Sequence, residues 1–170
     1  MLDFNFCVPN RFIVGKGSAA QVGAQLASHG AKRVLIVNDG GAYLAELMNT
    51  IHASIEAAGL VWLEMEDKAT SPRLSLVMKG VEFVRANDID FILAVGGGTV
   101  MDTAKAIGFM AVNDGDFTDY VLYRKASPTL HSILNAFQPD AFSFCVCSMW
   151  DLSSPTRDQI CDPYSGSMGS

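Results

Sequence analysis

Three consecutive glycines, Gly96, Gly97 and Gly98, are the residues of this chain best placed to do chemistry. They follow an apolar run at residues 91–95 and precede a segment with helical spacing at residues 99–107. A glycine turn between a strand and a helix lets the backbone approach a phosphate without interference from Cβ, and it points helix N–H groups at that phosphate. The pattern predicts a nucleotide or dinucleotide ligand. A tight turn that binds nothing is the alternative, because a lone glycine cluster is not specific.

The residues after the glycines add further candidates. Thr99 is predicted to be the N-cap of the helix, and Asp102 follows it at the spacing of a capping box. Both side chains could also contact a ligand, and the two roles are compatible. Lys105 is either a solvated lysine or a positive charge beside a phosphate. A P-loop is excluded, because no Lys-Ser or Lys-Thr pair follows the glycines at the required spacing.

Asp39 and Gly40 form a second candidate, because they follow another apolar run at residues 34–37. In open α/β sheets, ligands bind beyond the carboxyl ends of the strands. A carboxylate there accepts hydrogen bonds from a ribose diol and repels a 2′-phosphate, which favours NAD over NADP. The alternative is an aspartate that only stabilises a turn before glycines. The acidic residue here precedes the glycine loop, which reverses the usual dinucleotide fingerprint.

Histidine and cysteine offer little for metal binding or proton transfer. The histidines are His29, His52 and His131, and the late cysteines are Cys145, Cys147 and Cys161. No two histidines have metal-ligand spacing, and the first two are predicted to lie at the surface of helices. A zinc site made from His131 and the late cysteines matches no familiar spacing. Accidental clustering is the simpler interpretation.

Composition excludes several classes of protein. The chain has 170 residues, of which 49% are hydrophobic, and a net charge of −6. It is long enough for a folded domain, and its negative charge argues against a nucleic-acid-binding surface. No apolar run reaches the roughly 18 residues that cross a bilayer, and the N-terminus lacks a signal-peptide pattern. With only four cysteines, a cytoplasmic protein without a disulfide scaffold or membrane partner is expected.

Residues 11–124 alternate between strand-like and helix-like segments. The predicted strands are 12–14, 34–37, 61–63 and 90–95, and the predicted helices begin at Ser18, near Leu44, at Ser71-Pro72 and after Gly98. Strands that alternate with long helices imply right-handed βαβ units and a parallel sheet. The predicted fold class is therefore α/β, a Rossmann-like parallel sheet with flanking helices.

The last part of the chain differs from the rest. From about Ser127 onward, no helical or alternating period lasts more than a few residues. Residues 142–147 alternate like one strand, and residues 162–170 have the composition of a loop or a disordered segment. We predict a nucleotide-binding α/β domain at residues 1–126 and an irregular, poorly patterned C-terminal tail at residues 127–170.

Several segments, taken in order, resemble one known family. They are residues 9–17, 34–37, 71–75, 90–107 and 114–116, which read PNRFIVGKG, VLIV, SPRLS, DFILAVGGGTVMDTAKAI and DGD. From residue 5 to about residue 123, the chain is similar to the N-terminal, nucleotide-binding half of the iron-containing (group III) alcohol dehydrogenases. Within that family it is most similar to the butanol-dehydrogenase-like branch.

The resemblance implies an NAD(P)-dependent, metal-dependent oxidoreductase that interconverts alcohols and aldehydes by hydride transfer. It assigns Gly97, Gly98, Thr99 and Asp102 to the pyrophosphate and neighbouring atoms of the dinucleotide. The family usually has serine at the position of Thr99, and the hydroxyl is kept.

The resemblance also bears on coenzyme preference. Asp39 occupies the position where NAD-preferring members carry aspartate, while the glycine pair after it is similar to the loop of NADP-type members. Ser71 stands where many members have asparagine. NAD is the expected cofactor, with NADP as the alternative. The predicted cofactor-binding residues are Asp39, Gly40, Ser71, Gly96, Gly97, Gly98, Thr99 and Asp102.

Full-length members of the family continue with a Thr-Gly-Ser-Glu-type segment and an all-helical domain. That domain supplies an aspartate and three histidines that hold iron or zinc. Those ligands are absent from this sequence, so we expect a truncated or frameshifted, inactive form with a break after about residue 126. The alternatives are a stand-alone, non-catalytic dinucleotide-binding module, or a product too short to fold stably, because it would expose an apolar domain interface. The expected partners are a nicotinamide dinucleotide, a small alcohol or aldehyde for the full-length enzyme and, in a homodimer, a second copy.

Overall fold

The structure, a computed structural model, describes residues 11–66, 73–121, 132–137 and 144–147. The strands are β1 (Arg11–Val14), β2 (Arg33–Asn38), β3 (Val61–Glu66), β4 (Phe91–Val95), β5 (Ser132–Phe137) and β6 (Phe144–Cys147). The helices are α1 (Val22–Ser28), α2 (Ala45–Ala57), α3 (Leu74–Ala86), α4 (Gly98–Ala111) and α5 (Phe117–Val121), with 3₁₀ turns at Ser18–Gln21 and Ala42–Leu44. The predicted α/β class is confirmed.

The strands form one sheet in the order β1-β6-β5-β4-β2-β3. β2 is parallel to β3 and β4, and β4 is parallel to β5. This part of the sheet is the predicted Rossmann-like arrangement. β6 is antiparallel to both β5 and β1, so the sheet is mixed at that end. The antiparallel end was not predicted.

β2 and β4 are interior strands of the sheet, and their side chains are buried with little alternation. Every residue from Val34 to Val37 and from Ile92 to Val95 is fully buried. Strands that are covered on both faces read as continuous apolar runs, which is why these two segments could be recognised from sequence.

Helices cover both faces of the sheet. Successive residues of a strand point to opposite faces, so alternate residues of one strand contact different helices. One face packs α1 and α2 against alternate residues of β2, and the apolar cluster there includes Val22, Leu26, Val34, Ile36, Ile51 and Ile55. The other face packs α3 and α4 against the remaining residues, in a cluster that includes Leu35, Val37, Val77, Val81, Ala104 and Ile107. Within the described segments, we find no helix long and apolar enough to span a membrane.

The tail predicted to be irregular contributes two strands. The first five residues of β5, Ser132 to Ala136, pair with β4, and β6 lies between β5 and β1. The alternating stretch at residues 142–147 did predict a strand, but residues 132–137 were wrongly assigned to irregular structure. Pairing with a neighbouring strand decides strand formation there, and such pairing leaves no periodic pattern in a short segment.

Helix starts differ from those predicted at the first helix, at α3 and, next to the glycine loop, at α4. The cap position before the 3₁₀ turn is Gly17 rather than Ser18, which is buried. Helix α3 starts at Leu74, after an extended Arg73, whereas proline at residue 72 was predicted to open it. Leu74 is exposed rather than on the buried face. The predicted ends of α1 and α2 are confirmed, because Gly30 and Gly59 adopt positive φ values directly after them.

Candidate functional site

Strand register brings the two predicted loops to one edge of the sheet. Asn38, the last residue of β2, is paired with Val95, the last residue of β4. Because the two strands are parallel, the loops that begin at Asp39 and Gly96 leave the same edge as neighbours. Neighbouring strands lie about 4.8 Å apart, so one ligand can reach both loops.

The glycine loop leaves open space in front of its backbone. Gly96 has φ +151° and is buried, and a Cβ on it would lie 2.9 Å from Cγ2 of Val100. This position therefore requires glycine. A Cβ on Gly97 or Gly98 would have no atom within 4 Å. The backbone of these two residues can be approached closely, as a phosphate site requires.

Helix α4 begins earlier than predicted. Its N-cap is Gly97, in an extended conformation, and Gly98 is already helical. Thr99 is therefore the second residue of the helix and not its cap, and the predicted capping box with Asp102 is wrong. The turn is completed at Gly96 and Gly97, so helical geometry starts at once. No side chain caps the helix, and the N-terminal N–H groups of a helix can in general receive an anion.

Asp102 and Lys105 pair with each other on the exposed side of α4. Lys105 Nζ lies 3.3 Å from Asp102 Oδ1, and the two side chains are 52% and 64% exposed. An exposed pair of this kind contributes roughly 0–1 kcal/mol. The structure favours the solvated interpretation of Lys105.

The loop after β2 is fixed by its own side chains. Oδ1 of Asn38 accepts a hydrogen bond from the backbone N–H of Gly40 at 2.7 Å, and Oδ1 of Asp39 accepts one from Gly41 at 2.9 Å. Gly40 has φ +67°, a conformation that favours glycine. Asp39 thus stabilises a turn, as its alternative interpretation predicted, while its carboxylate stays at the edge of the sheet.

Tyr43 also contacts this carboxylate. Its hydroxyl donates a hydrogen bond to Oδ2 of Asp39, and its side chain is 65% exposed. The hydrogen bond to Asp39, then desolvation and then the negative charge of Asp39 raise the pKa of Tyr43 to about 12. Tyr43 is therefore a neutral donor at physiological pH.

Sequence reasoning missed a polar cluster beside this loop. Nδ2 of Asn38 donates to Oε1 of Glu64 at 2.7 Å, and Oε2 of Glu64 lies 3.2 Å from Nε2 of His52. His52 stacks on Trp62, with 4.0 Å between ring centroids and 6° between ring planes. The prediction that His52 is a surface residue is therefore wrong, since this side chain of α2 packs on β3 and is only 23% exposed. The one signal in the sequence was a polar Asn38 at the end of an apolar run.

Several predicted residues, or their side chains, lie outside the described part of the structure. Ser71, His131 and Cys161 are not among the described residues, and only the backbone is described for Cys145 and Cys147. Among the described residues, no group of three or more histidine, cysteine, aspartate or glutamate side chains could hold a metal ion.

One protein family matches most of the chain. The family model for iron-containing alcohol dehydrogenases matches residues 9–136. The chain belongs to this family. The resemblance predicted from the sequence is confirmed, and the match continues past residue 126 into β5. Where the domain itself ends stays a prediction.

Two curated proteins are similar to most of the chain. The chain is 33% identical over 122 residues to the NADH-dependent butanol dehydrogenase A of Clostridium acetobutylicum, covering 71% of this chain and 31% of that protein. It is 38% identical over 120 residues to the probable NADH-dependent butanol dehydrogenase 2 of Bacillus subtilis, covering 70% and 30%. The chain thus spans about 30% of the length of these curated relatives.

Solved structures show the same fold. The crystal structure of NADH-dependent butanol dehydrogenase A from Thermotoga maritima superposes with a TM-score of 0.72 at 28% identity, covering 78% of this chain and 34% of that chain. The substrate- and cofactor-free aldehyde reductase YqhD from E. coli gives a TM-score of 0.68 at 26% identity, covering 80% and 36%. The α/β fold is therefore that of the N-terminal region of this family.

Proposed function

We propose that this chain binds NAD at the edge of the sheet where β2 and β4 end. The observation that carries the proposal is the pairing of Asn38 with Val95, which sets a carboxylate beside an open glycine loop. A carboxylate next to a helix N-terminus suits a ligand with a ribose diol and a diphosphate. The NADH-dependent relatives named above support the choice of coenzyme.

The pyrophosphate and a ribose of the coenzyme each have proposed partners. Gly97 and Gly98 receive the pyrophosphate, since their backbone is open and α4 offers its N-terminus. Thr99 and Asp102 lie in the first turns of α4, next to that position, and Ser71 is retained as a contact from the family resemblance. Gly96 shapes the loop through its positive φ and is retained among the proposed coenzyme-binding residues.

The Asp39 loop is proposed to bind the ribose. The carboxylate of Asp39 accepts hydrogen bonds from the ribose hydroxyls, and Gly40 permits the turn that presents it. A 2′-phosphate would face this negative charge at short range. NAD is therefore favoured over NADP, which is the alternative coenzyme.

The proposed reaction of the full-length enzyme is alcohol–aldehyde interconversion. NAD supplies hydride transfer, and a metal ion in such an enzyme polarises the substrate oxygen. The described residues contain no fitting metal-ligand group, so none of them is assigned a role in holding iron or zinc. A non-catalytic coenzyme-binding module, or an inactive form of the enzyme, is the second candidate because of that observation. A homodimer and a cytoplasmic location stay predictions.

Coenzyme titration of matched glycine variants tests the proposal. Gly97 has φ −80° and open space around its missing Cβ, so Gly97→Ala folds normally but places a methyl group where the phosphate would rest. We expect NADH affinity to fall about tenfold or more. Gly15→Ala is the control, because Gly15 also has open space and lies beyond β5 and β6 at the end of β1.

The outcomes separate the candidate functions. Wild-type protein that stays folded yet gives no NADH fluorescence change and no heat at millimolar coenzyme overturns the proposal, as does equal affinity in Gly97→Ala. Butanal reduction by the same samples, with iron or zinc added, distinguishes the two candidates. Binding without turnover favours the module, and turnover favours the enzyme.

A further inference from the structure

Asn38 is a buried amide that links the Asp39 loop to strand β3. It is 2% exposed. Its Oδ1 accepts from the N–H of Gly40 and its Nδ2 donates to Oε1 of Glu64, both at 2.7 Å. Both ends of this buried polar group are therefore satisfied by protein partners at short hydrogen-bond distances.

Only one orientation of this amide suits both neighbours. The carboxylate of Glu64 can only accept hydrogen bonds, and the backbone N–H of Gly40 can only donate one. A reversed amide would set Oδ1 of Asn38 against the carboxylate and its NH2 group against the N–H, so both contacts would be repulsive. Glu64 therefore decides which end of Asn38 faces the loop.

Glu64 is itself held in place by residues of α2 and β3. Its second oxygen lies 3.2 Å from Nε2 of His52, which is within ion-pair distance but without hydrogen-bond geometry. The ring of His52 stacks on Trp62. The two oxygens of Glu64 thus meet two different side chains, which restricts the rotation of its carboxylate.

The Asn38 hydrogen bond acts where the loop must turn. Gly40 has φ +67°, and glycine has the widest conformational freedom of any residue. Two consecutive hydrogen bonds restrain this segment, one donated by the N–H of Gly40 to Asn38 and one by the N–H of Gly41 to Asp39. If the hydrogen bond between Gly40 and Asn38 is lost, the backbone before and after Asp39 gains conformational freedom.

We propose that Glu64, acting through Asn38, is a positioning residue that fixes the Asp39 loop and so sets the discrimination between NAD and NADP. The inference rests on the proposed function. Glu64 works by preorganisation, because a loop already fixed loses less conformational freedom on binding. The glycine loop at Gly97 and Gly98 is independent of this hydrogen bond, so the affinity it provides is common to both coenzymes.

Titration of the full chain with NADH and with NADPH tests the inference. Glu64→Leu removes the acceptor for Asn38. We expect its NADH dissociation constant to rise about tenfold while that for NADPH changes little, so the preference for NADH collapses. Glu64→Gln is the matched variant, since its amide oxygen still accepts from Nδ2 of Asn38. It is expected to keep most of the wild-type preference although the charge facing His52 is gone.

A purely structural role would lower the melting temperature without changing the NADPH-to-NADH ratio of dissociation constants, and that result overturns the inference. If Glu64→Leu does not fold, Asn38→Leu replaces it, because leucine has a similar shape and suits a buried position. An unchanged ratio there also overturns the inference. If the wild-type protein binds neither coenzyme, the proposed function itself fails. If it binds NADH and Gly97→Ala weakens that binding, only the role of Glu64 is in question.

Discussion

Asn38 and Val95 lie opposite each other in the parallel ladder, and each is the last residue of its strand. The consequence is that a turn carrying a carboxylate and a glycine turn leading into a helix start side by side. Neither segment defines a site alone. Together they give one edge of the sheet both an acceptor for hydroxyl groups and the positive end of a helix.

Removing the carboxylate of Asp39 should weaken the preference for NAD. In Asp39→Gly, the repulsion of a 2′-phosphate and the acceptor for the ribose hydroxyls are lost together, so NADH affinity falls and NADPH affinity rises. The ratio of the NADH affinity to the NADPH affinity should fall about tenfold, which corresponds to about 1.4 kcal/mol. Parallel fluorescence titrations with the two coenzymes measure it.

Glu56→Gln is the control for charge alone, because Glu56 is exposed near the far end of α2. It should leave the ratio unchanged. Equal affinities for both coenzymes in wild type and in Asp39→Gly would show that Asp39 does not read the ribose.

Gly98→Ala should separate stability from binding. Gly98 is the first residue of α4 and has open space around its missing Cβ. Alanine gains up to about 1 kcal/mol of helix propensity over glycine, so the melting temperature should stay constant or rise. NADH affinity should fall, because the methyl group narrows the approach to the backbone. Thermal unfolding and NADH titration on one sample check both, and tighter binding together with higher stability would refute the phosphate assignment.

The hydroxyl of Tyr43 should lose its proton at a higher pH than that of an ordinary tyrosine. Its hydrogen bond to Asp39 is the main reason that its pKa is raised from 10.0 to about 12. The folded chain therefore holds this proton more tightly than the unfolded chain. The resulting stabilisation is present in full below pH 10 and is lost as the pH rises towards 12, since the unfolded chain releases its proton first.

Phenolate absorbance measures this titration directly. The difference between wild type and Tyr43→Phe should show a single step near pH 12. Asp39→Asn should move that step towards the ordinary value, because the acceptor loses its charge. A step near pH 10 in this difference would contradict the hydrogen bond, whereas the other three tyrosines of the chain cancel in it.

Gly23→Ala should destabilise the contact between α1 and α2. A Cβ on Gly23 would lie 1.9 Å from the backbone oxygen of Ser54, and backbone cannot move aside as a flexible side chain does. Ser54 also bridges the helices, since its Oγ accepts from the N–H of Gly23 at 2.9 Å and donates to the carbonyl of Ala20 at 2.7 Å. Overpacking of this kind costs about 1–3 kcal/mol of unfolding free energy.

Denaturant unfolding of Gly23→Ala tests this, with Gly15→Ala as the control because Gly15 has open space. Ser54→Ala should lose about 1 kcal/mol, the contribution of a typical hydrogen bond. Wild-type stability in Gly23→Ala would mean that the two helices do not approach as closely as described.

Strands could be predicted from the sequence where burial on both faces produces a continuous apolar run. Val34 to Val37 and Phe91 to Val95 could be recognised as central strands because both faces are covered. Prediction from the sequence failed for β5, whose strand state depends on β4 and β6 beside it. It also failed for Thr99, because a shift of one or two residues in a helix start depends on backbone angles that a composition pattern does not contain.

The sequence by itself determined the α/β class and the glycine turn after β4, because each depends on residues close together along the chain, and the order of several such segments determined the family. Only the tertiary structure decided that Asn38 joins Glu64, that His52 packs on Trp62, and that Tyr43 reaches Asp39. The first two of these contacts join β2 to β3 and α2 to β3, and the third joins two turns of one loop. They depend on register and side-chain rotamers, which are fixed only when the helices pack on the sheet.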